Sequence, residues 1–155
     1  MLSNRGLGKI AEKYLYEGVI VPTAFYVEEA GRMRSVERRN LNVLQMKCLR
    51  SLVVVSRMDR VRNEEVRKRA GIERDLVSRV DQRVSRWFEH VERMDEYRMA
   101  RIVLISEVSG RRVRGRPRLG WTDCVKVALG NKGMTVEAAR QCANDRKEWS
   151  VLVHM

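Results

Sequence analysis

Apolar residues recur at three- and four-residue intervals along most of this chain, a spacing that predicts amphipathic helices. The first such run covers residues 7–20, with apolar positions at Leu7, Ile10, Ala11, Tyr14, Leu15 and Val19. Proline lacks a backbone N–H and restricts the residue before it, so we expect Pro22 to interrupt this helix and Val21 to be extended. The apolar stretch 24–27 fits a short helix or a strand, and we favour the helix.

The next two runs predict a long helix and then a short one. Ser35 is a suitable N-cap for a helix of about 20 residues. Its apolar positions are Leu41, Leu44, Cys48, Leu49, Leu52 and Val55. Asp59 or Asn63 would cap the short helix, which runs through Val66, and Gly71 would end it at the position that glycine favours after a last turn.

Residues 76–94 carry the clearest helical pattern in the sequence. The apolar positions keep the 3.6-residue period for about five turns; they are Leu76, Val80, Val84, Trp87, Phe88, Val91 and Met94. Arginines alternate with acidic residues on the opposite face, as expected of an exposed helix surface. A helix-turn-helix over residues 63–94 is an alternative interpretation, although this helix is long for a recognition helix.

The C-terminal part of the chain predicts further short helices. Residues 97–106 fit a helix or a strand, Thr122 or Asp123 caps a helix that ends at Gly130, and Thr135 caps the last helix. We therefore expect an all-α fold: an irregular helical bundle, then an Arg-rich connector, then a small C-terminal helical hairpin held by Trp121 and Trp149.

The composition shows a strong excess of positive charge. The 155 residues carry a formal net charge of +12, and 25 of the basic residues are arginine against 7 lysines. The planar guanidinium matches phosphate well, so the excess of arginine favours a polyanionic partner. Residues 1–58 carry +5, residues 59–109 carry +1 and residues 110–155 carry +6. A G·C-rich genome would also produce arginine, but it explains this distribution less well.

The sequence lacks the patterns of several other classes of protein. Cys48, Cys124 and Cys142 are too scattered for a disulfide framework or a zinc site, and we interpret them as small apolar residues. No apolar run is long enough to span a bilayer, and the first thirty residues lack a signal-peptide pattern. There is no paired aspartate, phosphate-binding glycine loop or nucleophile elbow, and we interpret His90 as a helix-surface or core-edge residue. We therefore expect no catalytic residue, no metal and no cofactor.

The best candidate for a functional site is the Arg-rich segment at residues 110–118. It contributes +5 with no acidic residue, and the five predicted nucleic-acid-binding residues are Arg111, Arg112, Arg114, Arg116 and Arg118. The stretch 114–117, Arg-Gly-Arg-Pro, is thin and extended enough to enter a narrow minor groove, where arginines meet a strongly negative potential. It resembles the core of an AT-hook. A solvated linker and an RNA-binding segment are the alternatives.

Six stretches, taken in order, also point to a known family. They are Tyr16-Glu17-Gly18-Val19-Ile20-Val21-Pro22-Thr23-Ala24, Gln45-Met46-Lys47-Cys48-Leu49-Arg50, Asp59-Arg60-Val61-Arg62-Asn63-Glu64-Glu65-Val66, Arg86-Trp87-Phe88-Glu89-His90-Val91-Glu92-Arg93-Met94, Gly115-Arg116-Pro117-Arg118 with Trp121 and Asp123, and Asp145-Arg146 with Trp149. In this order they resemble the C-terminal region of non-LTR (LINE-type) retrotransposon reverse transcriptases. Residues 25–31 depart from the family pattern, which has a tryptophan there.

This resemblance implies that residues 7–55 correspond to the end of the polymerase thumb and the rest to the tail beyond it. We divide the chain into a thumb-like helical segment at 1–58, a continuation of the helical bundle at 59–109, a basic connector at 110–121 and a C-terminal helical hairpin at 122–155. The palm with its paired aspartates and the endonuclease of the family are absent from the sequence. We therefore expect no enzymatic activity from this chain alone.

The expected function is non-specific binding to the RNA or DNA backbone by a reverse-transcriptase fragment. The alternatives are a domesticated DNA-binding module that uses the AT-hook-like stretch and a helical protein-interaction module without a nucleic-acid role. We expect no membrane partner and an intracellular location, with the nucleus favoured over the cytoplasm. Self-association through exposed apolar helix faces is left open.

Overall fold

A computed structural model describes residues 8–28, 33–72, 74–106, 115 and 120–154. Within these ranges every regular element is helical and none is a strand, which confirms the predicted all-α class. The α-helices are α1 (Lys9–Leu15), α2 (Val21–Glu28), α3 (Ser35–Leu52), α4 (Asn63–Ala70), α5 (Leu76–Glu92), α6 (Met99–Ile105), α7 (Trp121–Gly130), α8 (Val136–Cys142) and α9 (Arg146–His154).

The chain divides into two compact units, Met1–Val80 and Asp81–Met155, and the dividing point lies within α5. The first unit contains α1 to α4 and the first turn of α5. The second unit contains the rest of α5 and the helices after it. The four-segment division drawn from charge and resemblance stays a prediction.

Pro22 does not interrupt the first helix, contrary to the sequence prediction. A π-helical turn, Tyr16–Ile20, joins α1 to α2, and Val21 is helical with φ −63° and ψ −50°. The proline ring would collide with the carbonyl four residues earlier in a regular helix, and the wider turn provides space for it. Thr23 Oγ1 donates to the carbonyl of Val19 at 2.7 Å, which satisfies an acceptor in this irregular region. The helix favoured for residues 24–27 is confirmed as part of α2.

The apolar face predicted for the first helix is exposed rather than buried. Ile10 and Tyr14 each expose 74% of their surface, and Val19 is also exposed. The core side chains of this region are Tyr16, Val21, Ala24 and Phe25. The π turn accounts for the exposure of Val19, because an extra residue in one turn shifts the positions within and after it from the face that a 3.6-residue period predicts. Ile10 and Tyr14 precede this turn, and nothing in the structure explains their exposure.

Helix α3 has the predicted position and length, and it packs against α1 and α4. Its N-cap is Arg34 rather than Ser35, and the carboxylate of Glu37 accepts the backbone N–H of Arg34 at 2.6 Å. Leu41, Met46 and Leu49 are buried, whereas Leu44 of the predicted face is exposed.

The amide of Gln45 is completely buried in α3 and joins three parts of the first unit. Its Nε2 donates to the hydroxyl of Tyr16 and to the carbonyl of Arg74, both at 3.1 Å. Its Oε1 accepts the backbone N–H of Leu76 at 3.2 Å, at the start of α5, where helical N–H groups have no intrahelical partner. Burial also raises the pKa of Tyr16. Gln45 thus fixes the N-terminal helix and the start of α5 on α3.

Replacing Gln45 with leucine should destabilise the protein by about 2–4 kcal/mol, because the Leu76 N–H would lose its acceptor and the Tyr16 hydroxyl and the Arg74 carbonyl would lose their donor. The free energy of unfolding from denaturant titration measures this change. Gln141, which is exposed on α8, provides the matched control, and Gln141→Leu should change stability by less than about 0.5 kcal/mol. Equal stabilities of the two variants would show that the buried amide has no structural role.

Helices α4 and α5 follow the predicted pattern with two corrections. Gly71 ends α4 with a left-handed φ of 66°, as predicted, but the N-cap is Arg62 rather than Asp59 or Asn63. In α5 the predicted core position Phe88 is buried, whereas its neighbour Trp87 exposes 49% of its surface. The Trp87 ring lies 5.5 Å from the ring of His90, centroid to centroid.

The second unit has its core where α5, α7, α8 and α9 contribute side chains. The buried members are Phe88, Val125, Leu129, Ala139, Ala143 and Trp149. Trp121 packs against this cluster and Trp149 belongs to it, so the predicted role of both tryptophans in the C-terminal part is confirmed. Residues 99–105 form the helix α6, one of the two forms that the sequence allowed, with no buried side chain.

The caps of the C-terminal helices follow the prediction in part. Thr135 caps α8, since its Oγ1 accepts the backbone N–H of Ala138 at 3.2 Å. The predicted last helix is in fact two, because α8 ends at Cys142 and Asp145 Oδ1 accepts the N–H of Lys147 at 2.7 Å to begin α9. Neither Thr122 nor Asp123 is the N-cap of α7. The N-cap is Gly120, and the first helical residue is Trp121.

Candidate nucleic-acid interface

The five arginines predicted from the sequence as the binding site all lie outside the described residues. They are Arg111, Arg112, Arg114, Arg116 and Arg118. Within residues 110–118 the structure describes Gly115, which is exposed and has a φ of 143°, a conformation that other residues rarely adopt. No atom lies within 4 Å of the position that a Cβ would occupy there. The assignment of this segment stays a prediction.

Many carboxylates of the described residues hold the beginning of a helix or a turn. Each accepts a backbone N–H in or beside its own turn, with donor–acceptor distances of 2.6–2.8 Å. These carboxylates belong to Glu37, Asp59, Asp75, Asp123 and Asp145. The negative charge placed there also interacts favourably with the helix dipole. The carboxylates of these residues are therefore hydrogen-bonded to backbone N–H groups at helix starts and turns.

Other carboxylates pair with arginines, and the Glu17–Arg79 pair is the best formed of these. Its two hydrogen bonds, at 2.6 and 2.7 Å, link the π turn to α5 within the first unit. This bidentate contact lowers the pKa of Glu17 and raises that of Arg79. Other such pairs are Glu37–Arg34, Glu65–Arg69, Glu89–Arg93 and Glu92–Arg140. The helix-turn-helix interpretation loses support here, because the α5 arginines Arg79 and Arg93 are engaged by acids.

Three arginines on the segment between α3 and α4, residues 53–62, have a different environment. We call this segment the α3–α4 loop. Arg57, Arg60 and Arg62 are exposed, and no carboxylate of the described residues forms an ion pair with them. These three arginines are not among the nucleic-acid-binding residues predicted from the sequence. The signal was present in the sequence as three arginines within six residues.

Three hydrogen bonds help to hold the α3–α4 loop in shape, two from α3 and one within the loop. Arg50 Nη2, from α3, donates to the carbonyl of Val61 at 2.8 Å and to Oδ1 of Asn63 at 3.0 Å. Asp59 Oδ2 accepts the backbone N–H of Ser56 at 2.7 Å. The predicted cap residues Asp59 and Asn63 therefore organise the loop instead of capping α4.

Two residues of the α3–α4 loop have left-handed backbone conformations. Val54 has a φ of 53° and Arg60 a φ of 50°. Such a conformation is unfavourable for residues with a Cβ, above all for a β-branched one, and costs about 1–3 kcal/mol. At Val54 this conformation closes α3, because the N–H groups of Val54 and Val55 donate to the carbonyls of Ser51 and Arg50. The strain at Arg60 lies inside the loop, and strain of that kind persists only where the surrounding contacts enforce it.

The histidine, cysteine and acidic side chains that the structure describes form no metal-binding cluster. Among the side chains that the structure describes, no group of three or more histidine, cysteine, aspartate or glutamate residues is placed to hold a metal ion. Cys124 is buried, Cys48 and Cys142 are partly buried, and all three are free thiols. Burial raises the pKa of Cys48, which lowers its thiolate fraction.

No helix in the described ranges has the length and apolar character needed to cross a membrane. Comparisons of the chain with protein-family models, with curated proteins and with solved structures yield no match. The resemblance to reverse transcriptases therefore rests on the sequence stretches given above.

The Glu17–Arg79 pair should make stability depend on pH. The pKa of Glu17 is lowered in the folded state, so its contribution is present above the ordinary carboxyl value of 4.5 and is lost as the pH falls through the folded pKa. Glu17→Gln should cost about 1–2 kcal/mol near pH 7, and the difference from wild type should shrink toward pH 3.

Denaturant titrations at several pH values measure this difference. Glu96→Gln, at an exposed position, is the control and should have little effect at any pH. A constant difference between wild type and Glu17→Gln from pH 7 to pH 3 would contradict the assigned interaction.

Proposed function

We propose that this chain binds nucleic acid through the phosphate backbone, as a C-terminal fragment of a retrotransposon reverse transcriptase without the palm or the endonuclease. The observation that carries the proposal is the excess of basic side chains over the acidic side chains that could pair with them. The chain has 32 basic and 20 acidic residues, and many described acids are occupied by helix starts, turns or ion pairs. Arginines that remain unpaired and exposed favour a polyanionic partner.

The expected interaction does not depend on nucleotide sequence. Arginines that neutralise phosphates release condensed counterions, so the affinity should fall steeply as salt is added. The Arg-rich segment at 110–118 is the proposed main contact. Five phosphate contacts would make the logarithm of the binding constant fall against the logarithm of the salt concentration with a slope of about −4 to −5.

Alanine at Arg111, Arg112, Arg114, Arg116 and Arg118 together should remove most of this slope. Fluorescence anisotropy with labelled duplex DNA and with structured RNA, at several salt concentrations, measures it. The matched control removes five exposed charges elsewhere, by alanine at Lys47, Lys68, Lys126, Arg146 and Lys147. This control should retain most of the slope, because it leaves the proposed contacts in place.

The same measurements distinguish the proposal from its alternatives. Unchanged slope in the five-arginine variant would refute the assignment to this segment. No binding of wild type to duplex or RNA at about 0.15 M ionic strength would favour a helical interaction module instead. Incorporation of nucleotides by the purified chain alone would contradict the absence of polymerase activity.

A domesticated DNA-binding module is the second candidate, and the Arg-Gly-Arg-Pro stretch at 114–117 favours it. Gly115 of this stretch is exposed, as a residue that approaches a minor groove must be. This candidate requires tighter binding to A·T-rich than to G·C-rich duplex at the same salt concentration. Equal affinity for the two duplexes would exclude it and leave the non-specific binder.

A further inference from the structure

We propose that the α3–α4 loop is a second contact with nucleic acid, in which Arg57, Arg60 and Arg62 bind phosphates of a duplex and Met58 makes an apolar contact within its minor groove. The inference rests on the proposed function, because it assumes that the chain binds nucleic acid. It adds a site that the Arg-rich segment does not include, and it specifies a double-stranded partner.

Two apolar side chains of this loop are exposed. Met58 exposes 89% of its surface and Val54 84%, the two highest values among the exposed large hydrophobic residues that the structure describes. Exposed apolar groups beside unpaired cations are typical of a surface that binds a partner with both apolar and anionic parts. The groove of a nucleic-acid duplex has that combination, with sugars and base edges between two rows of phosphates.

Hydrogen bonds brace the loop without any partner. Arg50 holds its C-terminal end through the Val61 carbonyl, and Asp59 holds the Ser56 N–H inside it. The left-handed residues Val54 and Arg60 lie within this braced segment. A preformed loop loses less conformational entropy on binding, so few contacts suffice for useful affinity.

The charged groups of the loop are suited to phosphate. The three cations are arginines, whose planar forks form paired hydrogen bonds with phosphate oxygens. Proteins that bind the minor groove commonly combine arginines with an inserted apolar side chain, and methionine is one of the residues used for this. An anionic membrane would also attract arginines, but stable anchoring there needs more apolar area than one or two side chains supply.

The test uses the full chain and a labelled duplex DNA at several salt concentrations. Alanine at Arg57, Arg60 and Arg62 should reduce the magnitude of the salt slope by about 3, with at least a tenfold loss of affinity at the lowest salt. Met58→Ala should weaken binding by about fivefold without changing the slope, because it removes an apolar contact and no charge. Met58→Leu should restore most of the affinity.

The matched control removes three exposed cations from helices of the same unit, by alanine at Arg39, Lys47 and Lys68. It should leave the salt slope closer to the wild-type value than the loop variant does, in which Arg57, Arg60 and Arg62 are alanine. Circular dichroism and thermal unfolding check that all variants fold, which we expect because each replaced side chain is exposed.

The outcomes separate this inference from the proposed function. A wild-type slope in the loop variant, together with a lost slope in the five-arginine variant, would overturn the loop site and leave the proposed function intact. No binding of duplex by wild type would overturn both. If the loop variant loses binding to phosphatidylserine vesicles but keeps the duplex slope, the loop is a membrane contact and the inference is wrong.

Discussion

At the starts of α3, α5, α7, α8 and α9, side-chain oxygens accept backbone N–H groups, and most of these oxygens belong to carboxylates. Asp75, Asp123 and Asp145 satisfy donors beside or within the first turns of α5, α7 and α9. The buried amide of Gln45 does the same for Leu76 and also binds Tyr16 and Arg74. Because acids are the minority charge, these contacts also determine which cations stay unpaired on the surface.

The same constraint connects the fold with the proposed function. Carboxylates that hold helix starts or pair with neighbouring arginines leave the α3–α4 loop without an acidic partner for Arg57, Arg60 and Arg62 among the described residues. Asp59 lies within that loop, but its carboxylate accepts the backbone N–H of Ser56. Part of the excess positive charge therefore lies on this loop, as three exposed arginines without an ion pair.

Sequence reasoning located the helices better than it located their faces. Periodicity identified α3 and α5 because each has a long regular apolar stripe, and the conformation of Gly71 followed from its position. It failed where local geometry departs from 3.6 residues per turn, as at the π turn before Pro22. It could not find the buried Gln45, because a single polar residue carries no period. It also missed the left-handed Val54, which ends α3 at a position that glycine or asparagine usually occupies.

Cross-linking of the wild-type chain to a duplex, followed by mass spectrometry of the cross-linked peptides, tests the central claim most directly. The claim is that unpaired arginines on defined segments contact the phosphate backbone. We expect the cross-linked peptides to cover the α3–α4 loop and the Arg-rich segment, and to disappear at high salt. Cross-links confined to α8 and α9, or cross-links that persist unchanged at high salt, would contradict the account.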